Sequence, residues 1–160
     1  MAENVELPDG MFPTLDASQI AHLVPLGEER HLAAGEIIYD QGDAEHGVFV
    51  VLSGSVELVN VVNGEETVLM VHGVGKFTGE VNQLSGRRSL IRCHALETST
   101  VVEISRANLR HIFENDAEMS EIMLRAFLLR RVYLIRNSVG DAVLIGSSHS
   151  ADTLRLQEFL

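Results

Sequence analysis

The sequence predicts a mainly β domain with flanking helices, and three observations carry that prediction. Short β-branched runs separated by glycine turns fill the middle of the chain, from about Arg30 to Ile104. One of those turns is Asn63-Gly64, the pair that a type I′ hairpin requires because both central residues need positive φ. After Ser105 the apolar period changes from that of strands to that of helices. Many short strands with glycine turns fit a sandwich, a roll or a barrel.

Taken in order, residues 1–15 carry two prolines and no clear period, and read as a loose N-terminal arm. "LDASQIAHLVPL" reads as a short helix, with Asp16 or Ser18 as its N-cap and Pro25 near its end. Glu36–Tyr39 is the first strand, followed by a turn at Gly42-Asp43. Val48–Leu52, Val56–Val62 and Thr67–Val71 follow, and then Ser89–Ala95 and Thr100–Ile104. Ser105 is a good N-cap for "RANLRHIFEN". Asn115-Asp116 opens a longer helix that runs to about Asn137. Met119, Ile122, Met123, Ala126, Phe127, Leu129, Tyr133 and Leu134 lie near helical spacing, while Leu128, Val132 and Ile135 broaden the stripe past one face. A helix apolar on more than one face either fills the core or buries a second face against a partner or ligand. The tail from residue 138 to 160 is a strand-like Ala142–Ile145, a loop and the start of a helix. That is too little for a core, so it reads as a linker and the truncated start of a following domain.

Composition narrows the function. The 160 residues carry a formal net charge of -11, which argues against nonspecific nucleic-acid binding, since that depends on Lys and Arg neutralising phosphates. The charges are unevenly placed. Residues 1–66 hold Arg30 against 13 acids, whereas residues 67–96 hold Lys76, Arg87, Arg88 and Arg92 against Glu80 alone. Arg125, Arg130, Arg131 and Arg136 form a second basic block. A small basic island on an acidic chain suits one compact anion better than a long polyanion; the plainer reading is a solvated basic face. No run has the length of a membrane span, and the acidic N-terminus lacks the apolar segment of a signal peptide. Cys93 is the only cysteine, which excludes an internal disulfide and a Cys-x-x-Cys site and fits a reducing cytoplasm.

The stretch "FTGEVNQLSGRRSL", Phe77 to Leu90, holds the candidate binding residues. Gly79 permits a backbone conformation closed to other residues, or close approach of a ligand. Glu80 precedes enough chain for one helical turn, whose first N–H groups lack partners and can face an anion. Arg88 can give two parallel hydrogen bonds to phosphate oxygens, and Ser89 adds a small donor. A carboxylate suits a sugar hydroxyl, so Glu80 and Arg88 together match a ligand with a ribose at one edge and a phosphate at the other; the competing reading is a structural Glu–Arg salt bridge.

In this order, "AAGEIIYDQGD", "FVVLSGSVEL" and "VGKFTGE" running into "RRS", then a two-part C-terminal helix, the chain resembles the cyclic-nucleotide-binding domains of the catabolite-activator and kinase-regulatory-subunit type, over roughly residues 18–137. The resemblance implies a double-stranded β-helix, or jelly-roll, β-roll plus C-terminal helices, with residues 16–137 as the binding domain. It implies cAMP or cGMP as ligand, held by a phosphate-binding cassette at Gly79–Ser89. Glu80 is then expected on the ribose 2′-hydroxyl and Arg88 on the cyclic phosphate. Ser89 would touch phosphate or base, and Gly79 and Val81 would give backbone contacts. Leu69 and its neighbours would wall the base, and Arg131, Arg130 or Tyr133 would cap the purine. This cassette is about one residue shorter than the family's common form, and Leu90 stands where alanine is frequent, so Arg87 is the alternative to Arg88.

The family further implies a ligand-driven shift of the terminal helix toward the roll, coupled to whatever lies beyond. The "VLIGSSHSADTLRLQEFL" tail resembles the opening of the thioredoxin-like segment in bacterial proteins that fuse a cyclic-nucleotide domain to an FAD-dependent, thioredoxin-reductase-like oxidoreductase. The expectation is therefore a regulatory sensor, not itself an enzyme, forming a homodimer through residues 116–137. The alternative is a degenerate β-roll that binds nothing and serves as a dimerisation module. A cupin metalloenzyme is disfavoured because the seven histidines are scattered, with none at His-x-His spacing; they read as surface or hydrogen-bonded residues. "GVGKFTG" is not a P-loop, since Phe77 follows the lysine, and "GSSHS" lacks the second glycine of a nucleophile elbow.

Overall fold

The computed structural model describes residues 10–43, 46–79, 89 and 91–136. The first element is α1, Ala17–Leu23, closed at its start by a capping box: Asp16 Oδ1 accepts from the Gln19 amide at 2.8 Å and Gln19 Oε1 accepts from the Asp16 amide at 2.9 Å. A single 3₁₀ turn, Val24–Leu26, follows and contains Pro25. Seven strands come next: β1 Glu28–Leu32, β2 Ile37–Tyr39, β3 Val48–Ser53, β4 Val56–Val62, β5 Glu65–His72, β6 Arg92–Ala95 and β7 Ser99–Ile104. Two helices, α2 Arg106–Asn115 and α3 Ala117–Arg136, complete the described chain. Among the described residues no helix is long and apolar enough to cross a membrane.

The strands form two antiparallel sheets, ordered β1-β7-β3 and β2-β6-β4-β5. Sequence neighbours are seldom sheet neighbours, which is the interleaving of a β-roll. The exception is the β4–β5 hairpin, where Asn63 and Gly64 take φ of 55° and 81° and Val62 pairs with Glu65. Both central residues therefore have the positive φ that a type I′ turn demands.

Strand β1 escapes the sequence reading. "EERHL" buries only Leu32 fully, so it lacks the alternation by which a half-buried strand is recognised. It lies at a sheet edge and pairs with β7.

Strand β3 divides the interior. Val48 and Val50 face one apolar cluster and Phe49 and Val51 face another, and all four are buried. The first cluster packs β3 and β7 against α1, α2 and α3 through Val102, Ile104, Leu109, Ile112, Met123 and Phe127. The second lies between the two sheets, built on Leu32, Tyr39, Val56, Leu58, Cys93 and Val101, and Leu134 of α3 reaches it. Burial of Cys93 pushes its thiol well above the usual range, so it behaves as a small hydrophobe.

The C-terminal helices start where side chains cap them. Ser105 Oγ accepts from the Asn108 amide at 3.1 Å and Asp116 Oδ1 accepts from the Met119 amide at 3.0 Å. Met119, Met123, Ala126, Phe127, Arg130 and Leu134 are the buried positions of α3. The broad apolar stripe has two destinations, because Leu128 and Val132 stay exposed, at 53% and 49%.

The N-terminal segment departs from expectation. Residues 10–15 are not a loose arm: Met11 and Leu15 are buried at 1% and 3% exposure. The Leu15 amide donates to Gly75 O at 2.8 Å, and Lys76 Nζ donates to Phe12 O at 2.6 Å. Gly75, at φ +87°, permits this approach, since a Cβ there would lie 2.8 Å from Leu15 O.

Candidate functional site

A cavity opens between the four-stranded sheet and α3. Tyr39, Leu58, Leu69, Met70 and Ile91 form its sheet side, while Arg130, Tyr133 and Leu134 approach from α3. Gly79 and Ser89 lie at its edge, and Met11 and Phe12 of the N-terminal segment complete the described lining.

A local irregularity brings Leu69 to this cavity. Leu58 pairs with Met70 but Val59 pairs with Val68, so β5 carries one extra residue. Such a bulge breaks the strict alternation of faces. Leu69 and Met70 are thus both half-buried and both pack against the inter-sheet cluster.

Ser89 is fixed by its backbone. Its amide donates to Asp43 O at 2.7 Å, and its carbonyl accepts from the Gly42 amide at 2.9 Å. The turn that holds it is braced in its own right: Asp43 Oδ2 accepts from the Asp40 amide at 2.8 Å, and Arg92 grips both Asp40 oxygens at 2.9 and 3.1 Å. The Arg92 guanidinium holds the Asp40 carboxyl below its usual range. The Ser89 hydroxyl donates to Ile91 O at 2.8 Å and accepts from the Ile91 amide at 3.3 Å, which leaves its oxygen capacity for one further hydrogen bond.

Gly79 takes the backbone conformation closed to other residues that its sequence context suggested, and it also makes a close approach within the domain. At φ +119° a Cβ would lie 3.0 Å from Phe127 Cε1 and 3.2 Å from Val48 Cγ2. The backbone approach that glycine allows is thus to α3. Gly79→Ala combines a forbidden φ with a clash and is expected to destabilise the domain by about 1–3 kcal/mol, as read from urea unfolding.

Arg130 joins the pieces together. It is 5% exposed, and its Nη1 donates to Phe77 O at 2.8 Å and to Gly79 O at 3.0 Å, while its Nε donates to Met11 O at 2.8 Å. The guanidinium lies 4.6 Å from the centre of the Phe77 ring and 5.0 Å from that of Phe12. Arg131 is half-buried on α3 and does not line the cavity; Tyr133 does. Glu80, Val81, Arg87 and Arg88 fall outside the described residues.

Three of the basic residues have structural roles. Lys76 serves the N-terminal segment, Arg92 pairs with Asp40 and Glu66, and Arg130 holds backbone carbonyls. Within the island around the candidate cassette, Arg87 and Arg88 stay the sequence's candidates for an anion.

His72 corrects the reading of the histidines. It is fully buried, and neither ring nitrogen has a hydrogen-bond partner among the described residues. Burial, reinforced by the Arg130 and Lys76 charges, lowers its pKa from 6.5 to about 3, so it is neutral at physiological pH.

A β-roll with an apolar cavity beneath α3 is an arrangement that suits a small-molecule ligand. Residues 29–116, more than half of the chain, match the family model described as a cyclic nucleotide-binding domain, and the chain belongs to that family. It is a regulatory domain by that membership. Potassium channel KAT1 of Oryza sativa subsp. japonica is 30% identical over 114 residues, covering 71% of this chain and 16% of the channel. Lysophospholipase NTE1 of Meyerozyma guilliermondii is 29% identical over 73 residues, covering 46% of this chain and 5% of that protein. The chain therefore spans a small part of the curated relatives it matches. Among solved structures, the Thermus thermophilus catabolite activator protein superposes with a TM-score of 0.65 at 22% identity, covering 78% of this chain and 59% of that one. A structure from a cyclic-GMP-dependent signalling pathway that regulates bacterial phytopathogenesis gives 0.59 at 23% identity, covering 78% and 96%. These likenesses show the shared fold.

Proposed function

We propose that this domain is a cytoplasmic sensor that binds cAMP or cGMP in the cavity under α3 and passes the binding event to a following domain. The observation that carries this reading is the meeting of Gly79 and Ser89, the two ends of the candidate cassette, at the rim of a cavity walled by Leu69 and faced by Tyr133. Its apolar walls suit a purine, and its cassette edge suits a ribose phosphate. In this reading Glu80 accepts from the ribose 2′-hydroxyl, Arg88 holds the cyclic phosphate, and Gly79 and Val81 contribute backbone contacts. The oxygen of Ser89 accepts from ligand or water. Tyr133 is better placed than Arg131 to cap the base, because it lines the cavity.

The output domain follows from the tail. Residues 143–160 resemble the start of a thioredoxin-like segment, so the proposed partner is a fused, FAD-dependent, thioredoxin-reductase-like oxidoreductase. The sensor itself performs no chemistry in this reading. Calorimetry with cAMP and cGMP on the 160-residue protein tests the ligand: saturable binding of either supports the sensor. Binding of neither at high micromolar concentration leaves the dimerisation module as the better description.

The dimer is part of the same proposal. Leu128 and Val132 stand one turn apart on the exposed side of α3, with half-buried Ile135 beyond them. A paired α3 would cover these side chains. Leu128→Glu with Val132→Glu is expected to convert a dimer to a monomer at tens of micromolar in sedimentation velocity. A wild-type protein that is already monomeric there would remove the dimer from the proposal.

A further inference from the structure

We infer that Arg130 is a positioning residue that clasps the N-terminal segment, the root of the cassette and α3 into one unit, making residues 11–12 a working wall of the ligand site. This rests on the sensor reading for its ligand, but the clasp itself rests on contacts already described.

Three parts of the chain, far apart in sequence, converge on one guanidinium. Met11 O comes from the N-terminal segment, Phe77 O and Gly79 O from the segment that leads into the cassette, and the guanidinium from α3. Phe12 and Phe77 cover it with their rings, and the Phe12 ring also lies 5.7 Å from His72. Lys76 grips the next carbonyl of the segment, Phe12 O, so two cations hold two consecutive peptide oxygens. Charge-assisted bonds of this kind are about twice as strong as neutral ones, and those from Arg130 to Met11 O and Phe77 O are buried.

The arrangement fixes geometry at the point where the ligand site begins. Gly79 O is one residue from Glu80, and Met11, Phe12, Gly79 and Arg130 all line the same cavity. A shift of α3 therefore pulls on the cassette root and on the segment together. A lysine at 130 could not replace this, because a single ammonium lacks the planar fork that reaches carbonyls on two sides and stacks between rings.

The test uses Arg130→Lys, Arg130→Gln and Phe12→Ala in the 160-residue protein, with circular dichroism to establish folding. Phe12→Ala removes half of the ring cover while leaving Arg130 in place, so it serves if the Arg130 variants do not fold. Hydrogen exchange without ligand should show the Leu15 amide, which donates to Gly75 O, exchanging about tenfold faster or more in each folded variant. Calorimetry with the nucleotide that the wild type binds should show affinity about tenfold lower, with lysine giving no rescue. Unchanged protection of the Leu15 amide, or restoration by lysine, overturns the clasp. Faster exchange with unchanged or tighter nucleotide binding overturns its role in the site. If the wild type binds neither nucleotide, the sensor reading fails while exchange alone still decides the clasp.

Discussion

Arg88→Leu is expected to lower cyclic-nucleotide affinity about thirtyfold or more while leaving the unfolding transition in urea in place. A cyclic phosphate carried into the cavity gives up hydration, and a guanidinium fork repays it with two charge-assisted bonds. Leucine supplies neither charge nor donor, so the phosphate is left desolvated and unmatched, a loss of about 2–5 kcal/mol for a buried charged contact. The described cations nearby cannot substitute. Arg92 is tied to Asp40 and Glu66, and Arg130 to the carbonyls of Phe77 and Gly79. Arg87→Leu is the control for register, with an expected effect within a fewfold of wild type. If that change proves the damaging one and Arg88→Leu is silent, the shortened cassette presents the preceding arginine instead.

The second large effect concerns acid. His72 has a folded-state pKa near 3 against 6.5 when exposed, so between those values the unfolded chain takes up a proton that the folded chain refuses. Stability from this residue is complete above pH 6.5 and drains away as pH falls toward 3, by an amount on the order of 4 kcal/mol. That is a large share of the stability of an ordinary domain. His46, whose pKa burial also lowers, drains stability in the same direction, and Asp40 adds a loss at lower pH as its carboxylate protonates. Comparison with His72→Phe isolates the residue: the variant should lose about 4 kcal/mol less between pH 7 and pH 3 in urea unfolding. Parallel pH profiles for the two proteins would contradict the placement of His72 in a dry interior.

The elements that were legible in the sequence are those whose physics is local. Asn63-Gly64 reads as a hairpin because few other pairs accept positive φ twice. Ser105 and Asp116 read as helix starts because their side chains cap amides three residues on. The split stripe of α3 was visible as Leu128 and Val132 beyond the core face. The rest is carried by long-range backbone contacts that leave no side-chain pattern. Nothing in "PDGMFPTL" announces that Met11 O and Phe12 O will receive Arg130 and Lys76 from residues much further on. Gly79 was recognisable as a special backbone position, but its neighbour Phe127 was not. The bulge that turns Leu69 inward depends on the register of β4 against β5, which single-strand alternation does not encode.

The close seat of Gly79 on Phe127 has a mechanical consequence. That contact lies near the middle of a 20-residue helix, which makes α3 a lever with its fulcrum at the cassette root. From Phe127 to Arg136 is about 14 Å at 1.5 Å per residue, so a tilt of about 10° at the fulcrum sweeps the far end through about 2 Å. Core side chains packed at crystal-like density do not absorb such a displacement gradually. In the proposed sensor, a sub-ångström adjustment at the cassette root would leave the domain as a discrete step at the far end of α3.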